Sequence, residues 1–138
     1  MRDALRQEFP PGALLVYALM ILMTTTEGTL GLLLPPYLDG YGYGLSAIGV
    51  LVSMLSVSRL LSRLPSGAAY GAAKAKRQLV IGCVGLSLGT GGFVLADGQL
   101  VPVVALSLVH GFSFGALGTL VLASFIDLTG GRRAGAIM

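Results

Sequence analysis

Long apolar runs dominate this chain, and they are continuous rather than alternating. Four of them reach the roughly 20 residues that an α-helix needs to cross a bilayer. The first covers residues 12–34 and is interrupted only by Thr24, Thr25, Thr26 and Glu27. The second, 45–70, contains Arg59, Arg63 and Pro65; the third is 78–96; the fourth, 100–128, has Pro102 in its first turn. Polar or turn-rich segments separate them. These are an N-terminal stretch (1–11), a loop reading PPYLDGYGYG (35–44), a basic loop (71–77), and a short Asp97-Gly98-Gln99 turn (97–99). Ser46 stands where a helix N-cap is expected. Residues 129–138 read as a connection into a fifth apolar segment. Strands of a membrane barrel would alternate apolar and polar residues over about ten positions, and these runs do not. The pattern predicts an all-α membrane protein with four transmembrane helices and the start of a fifth.

Composition sharpens this picture. Of 138 residues, 54% are hydrophobic and 11% are charged, with 21 further Gly. Soluble domains carry about 25% charged residues, and disordered chains are poorer still in apolar ones. One Cys (Cys83) and one His (His110) exclude a disulfide framework and a metal cluster by spacing. No phosphate-binding loop, nucleophile triad or haem motif is present, so an enzyme reading and a cofactor have no residues to rest on.

Charge placement sets the expected orientation. The net charge of +3 could suggest nucleic acid, but the nine basic residues fall otherwise. Arg2 and Arg6 precede the first span, and Arg59 and Arg63 lie late in the second. Lys74, Lys76 and Arg77 follow it, and Arg132 and Arg133 follow the fourth. Basic residues near span ends stay cytoplasmic. Both termini and the basic loop are therefore expected inside, the other two loops outside, in a cell membrane. The first apolar run is about twice the 7–15 residues of a signal-peptide core and lacks a cleavage pattern, so it reads as a retained span.

Candidate chemistry lies inside the spans. Glu27 sits about 10 Å below the outer end of the first at 1.5 Å per residue. A carboxylate at that depth must face protein or a wet cavity. It reads either as a proton- or cation-binding group or as a protonated residue bonded to a neighbouring helix. Met20, Met23 and Thr24 share its face, as a ligand surface or as ordinary packing. Thr25 and Thr26 can bond the carbonyl one turn back. His110 lies about 15 Å down the fourth span on the same ruler, with Ser107 and Phe114 on its face. It is expected to meet Glu27 across one cavity, the alternative being a core His bonded to backbone. Arg59, about 20 Å down, could bind an anion, pair with a carboxylate or anchor carbonyls near Pro65. Gly67/Gly71, Gly85/Gly89 and Gly111/Gly115 have the small-xxx-small spacing that lets helix backbones approach closely.

Several stretches resemble the major facilitator superfamily. LLLPPYLDGYGYGLSAIGVLVSML is similar to the end of its first span, outer loop and start of its second. LPSGAAYGAAKAKRQLV falls where the family carries G-x-L-A-D-R-x-G-R-R, Leu106–Gly111 where it carries R-x-x-Q-G, and DLTGGRRAGAIM where it enters its fifth span. Gly67 matches the leading glycine of the first signature. Gly71 and Ala72 replace its Asp and Arg, and Lys74, Lys76 and Arg77 keep its basic cluster. In the family that Asp and Arg tie inner helix ends together, so the resemblance implies an inner latch that is weak here or made by other residues. Ser107 stands at the position of an Arg linked to proton coupling in some members, and His110 at that of the Gln. The resemblance implies a secondary transporter of a small solute working by alternating access, with protons as a candidate coupling ion. It also implies that this chain is the N-terminal portion of a six-helix bundle, a fragment lacking the remaining transporter half. Two rivals remain at this point. One is a complete four-helix small multidrug-type antiporter acting as a dimer, and the other is a non-transporting membrane subunit or scaffold.

The orientation is testable directly. Asp39→Cys is expected to react with a membrane-impermeant thiol reagent added from outside; reaction only from the cytoplasmic side would invert the scheme.

Overall fold

A computed structural model describes residues 11–129. Four long helices account for most of them: α1 (Pro11–Gly40), α2 (Leu45–Ala68), α3 (Ala75–Gly91) and α4 (Leu100–Thr129). Short 3-10 turns flank α3, at Ala72–Lys74 and Gly92–Leu95. No strand occurs among the described residues. With its 3-10 turns counted, each helix is long and apolar enough to span a membrane. The fold class is all-α, as the continuous apolar runs predict. Residues 1–10 and 130–138, including Arg2, Arg6, Arg132, Arg133 and the expected start of a fifth span, lie outside the described residues.

Helix ends differ from the sequence reading in three places. α1 does not stop at residue 34 but continues through Pro35 and Pro36 to Gly40. Two prolines cost backbone hydrogen bonds inside a helix. Here burial offsets that cost: Leu34 and Leu38 pack into a core with Ile48, Leu51, Leu55, Phe93 and Val103. α3 starts at Ala75, so Lys76 and Arg77 lie in its first turn and not in a loop. Cations are unfavourable at a helix N-terminus, so helix electrostatics do not explain their position. α2 begins at Leu45 with Gly44 at the N-cap, which places Ser46 inside the first turn without a capping bond.

Every other helix leans on α4. Its widest interface is with α2, followed by α3 and then α1. Glycine determines how close the first two come. A side chain at Gly111 would run into the carbonyl of Leu55, and one at Gly115 into the carbonyl of Arg59. On the opposite side, Gly89 of α3 lies against the backbone of His110, where a Cβ would be 2.7 Å from its Cα. Gly85 lies against the Ser113 side chain. The Gly67/Gly71 pair is different: Gly67 has only the Thr119 methyl within ordinary contact, and Gly71 faces open space. Ser58 of α2 ties the α2–α4 seam by donating to the Leu108 carbonyl at 2.8 Å.

The two ends of the bundle are fastened differently. At one end, Tyr37, Tyr41 and Tyr43 gather on the 97–98 turn. Tyr37 donates to the Phe93 carbonyl (2.9 Å), Tyr43 to the Gly98 carbonyl (2.7 Å) and Tyr41 to Asp97 (3.3 Å). That turn is left-handed at both Asp97 (φ 47°) and Gly98 (φ 67°), a conformation costly for a non-glycine residue. At the other end the Tyr70 hydroxyl donates to Asp127 at 2.7 Å, and Gln78 donates to the Ala69 carbonyl.

Gly115→Ala forces α2 and α4 apart and is expected to cost about 1–3 kcal/mol. Thermal unfolding in detergent should show it, with Gly28→Ala, where no atom lies within 4 Å, as the matched control. Equal effects of the two substitutions would refute this account of the seam.

Candidate functional site

The α2–α4 seam delivers Arg59 to the level of His110, and α1 brings Glu27 to both. Gly115 lets α4 pass directly beneath the Arg59 backbone, and Phe114 beside it lies under the guanidinium, whose Cζ is 4.6 Å from the ring centroid. The His110 ring stacks on the same Phe114 at 6.3 Å and 13°. A cation over an aromatic face gains about 2 kcal/mol when desolvated.

Glu27 joins the group with both oxygens. Oε1 accepts from Arg59 Nη2 in a direct ion pair, and Oε2 lies 3.5 Å from His110 Nε2. The depth ruler put Arg59 about 10 Å further in than Glu27; helix packing and an extended guanidinium close that gap. Glu27 and Arg59 keep 26% and 20% of their side-chain surface exposed, while His110 is fully buried. The carboxylate and guanidinium therefore form the accessible edge of the cluster, and the imidazole forms its floor.

A residue absent from the sequence reading holds that floor. Thr90 Oγ1 lies 3.0 Å from His110 Nδ1 and 2.9 Å from the Leu86 carbonyl. The carbonyl can only accept, so the Thr90 hydroxyl donates to it. The remaining lone pairs of Oγ1 then require a proton on Nδ1. Neutral His110 therefore presents a bare Nε2 to Glu27. Two acceptors facing one another account for a separation at the outer limit of a hydrogen bond. The signal for Thr90 was available: it lies about 9 Å below the outer end of its span, near the depth of Glu27, and follows Gly89.

Other expected site residues lie elsewhere. Met20 and Met23 pack into the core that joins α1, α3 and α4, with Val16, Leu86, Leu117 and Phe125, and Met23 also lines a cavity beside Thr90. Thr24 is exposed and its hydroxyl donates to the Met20 carbonyl, as Thr25 and Thr26 do to carbonyls one turn back. Ser107 is fully buried and its hydroxyl has no partner among the described residues. Of the inner-loop group, Gly67 lies in the last turn of α2, Gly71 is extended, and Lys74, Lys76 and Arg77 are exposed. The Tyr70–Asp127 hydrogen bond joins the ends of α2 and α4 where the signature's Asp and Arg are missing. A groove of about 650 Å³ lies between α2 and α4 among Val50, Met54, Val57, Leu61 and Phe112, and contains none of the charged residues.

The Thr90 assignment has a direct readout, because His110 is the only histidine. Its ¹⁵N spectrum in the full chain is expected to show the Nδ1-protonated tautomer. Thr90→Val should abolish that preference and cost about 1–3 kcal/mol through a buried donor left unsatisfied, while Thr90→Ser should retain both. An Nε2-protonated wild type would refute it.

Apolar helices with a partly exposed charge cluster among them fit a membrane transporter, and comparison with known families agrees. No curated protein and no solved structure matches the chain. A family model described as Major Facilitator Superfamily matches residues 2–138, and the chain thus belongs to the Major Facilitator Superfamily, a family of membrane transporters.

Proposed function

We propose that this chain works in secondary active transport of a small solute, driven by an ion gradient, through alternating access. The observation that carries this reading is the Glu27–Arg59–His110 cluster at mid-depth of an otherwise apolar bundle. Ionisable side chains at that depth are costly, and they are kept where they line an ion or substrate path. In transporters built from repeated bundles the substrate site lies near the midplane, between bundles that rock about it. The exposed Glu27–Arg59 edge supports placing that site here, with Phe114 and His110 as its wall. A second bundle, beyond the four helices described, completes the cavity.

The remaining assignments follow the same reading. Lys74, Lys76 and Arg77 lie on the cytoplasmic side, each worth about 1 kcal/mol beside anionic headgroups. The membrane is the cell membrane and the termini are cytoplasmic. A scaffold would instead seal Glu27 inside helix contacts, and its partial exposure among the four described helices supports the transport reading.

Water access tests it. In the full-length protein with Cys83→Ala, a cysteine at Glu27 or Phe114 is expected to react with an impermeant thiol reagent added from either side of the membrane. Solute or gradient conditions that raise labelling from one side should lower it from the other. Protection from both sides would leave a scaffold, and simultaneous labelling with ion leakage would indicate a channel.

A further inference from the structure

The charges of the cluster limit what it can carry. Arg59 contributes a guanidinium cation. With Glu27 ionised and His110 neutral, the group as a whole is uncharged. One added proton has a prepared place, because bare Nε2 and Oε2 face each other across 3.5 Å and a proton between them turns two opposed acceptors into a hydrogen bond. Glu27 faces Arg59 from α2 and His110 from α4. Among the described residues α3 adds only the neutral Thr90 hydroxyl, its charged side chains Lys76 and Arg77 being at its far end.

The group therefore alternates between net charges of zero and plus one. It does not reach minus one while Arg59 is present, so a cationic solute never meets a site of opposite charge. An anion does. Protonation of the Glu27–His110 pair weakens the hold of Glu27 on Nη2, and the Nε–H on the same guanidinium edge is buried and has no acceptor among the described residues. Together they make a two-pronged donor of the kind that carboxylates and similar oxyanions fit.

We propose that the Glu27–Arg59–His110 cluster carries a monovalent organic anion together with one proton, the anion on Arg59 and the proton between Glu27 and His110. The empty site and the doubly loaded site are both neutral. A site holding the anion alone or the proton alone has an uncompensated charge, which an apolar interior penalises heavily. Coupling at one to one follows from that penalty, with Thr90 as a positioning residue that keeps Nε2 free for the proton. In each cycle the proton arrives with the anion from one side and leaves with it on the other. The inference rests on the transport reading above for its direction across the membrane, but the charge relation stands on the cluster itself.

The probe is benzenesulfonate, a permanent monovalent anion, so any proton taken up on binding must go to the protein. The full-length protein in weakly buffered detergent is expected to take up one proton per benzenesulfonate bound. Glu27→Gln, whose amide stands in for the protonated acid, should bind it without proton uptake and without pH dependence. Thr90→Val should shift the pH profile of binding, and Thr90→Ser should restore it. Absence of binding, binding without proton uptake by the wild type, or proton release on adding benzyltrimethylammonium would each overturn the proposal. In proteoliposomes an inward benzenesulfonate gradient should acidify the lumen. Stoichiometric proton uptake in detergent with no flux in liposomes would refute the transport reading and leave the charge relation intact.

Discussion

A cation that cannot lose its proton sits in the middle of an apolar helix bundle, and much of the arrangement around it answers to that fact. Arg59 pairs with Glu27, stacks on Phe114 and, through Glu27, reaches His110. Glu27 comes from α1, and Phe114 and His110 come from α4 one turn apart, so α1, α2 and α4 must converge within a few ångströms to supply them. Removing one partner from a buried pair costs far more than the pair itself contributes, because a lone charge remains. The ion pair is thus better understood as a requirement that fixes helix positions than as a source of stability.

Glycine makes the convergence possible. Packing of helices in lipid depends on close backbone approach, since lipid tails are as apolar as leucine. Gly111 and Gly115 provide that approach between α2 and α4, and Gly89 provides it between α3 and α4 directly behind His110. The same residues that hold the bundle therefore also set the height of the charged group. Packing and candidate chemistry share one seam here, and a change made for either is felt by both.

Much of this was legible in the sequence. Continuous apolar runs showed four helices, and a rise of 1.5 Å per residue put Glu27 and His110 at neighbouring depths. Small-xxx-small spacing singled out Gly85/Gly89 and Gly111/Gly115, but it gave Gly67/Gly71 equal weight, because spacing carries no information about which face meets a neighbour. Met20, Met23 and Thr24 shared a face with Glu27 on the helical ruler; in the structure Met20 and Met23 pack against α3 and α4, while Thr24 is exposed and bonds its own helix. Thr90 was missed because a hydroxyl late in a span ordinarily bonds its own helix, and here it does that and also meets His110. The extension of α1 through Pro35 and Pro36 runs against local propensity, and only tertiary burial of Leu34 and Leu38 accounts for it.

The tyrosines gathered on the left-handed turn at Asp97 and Gly98 have a mechanical consequence. They suture the α1–α2 hairpin to the α3–α4 hairpin at one extremity, through side chains whose aromatic bodies are themselves packed edge to face at 5.0 Å. At the opposite extremity, among the described residues, the hydroxyl of Tyr70 bridges the ends of α2 and α4. Strain imposed on this unit would therefore dissipate unevenly, with the sutured extremity acting as a fulcrum.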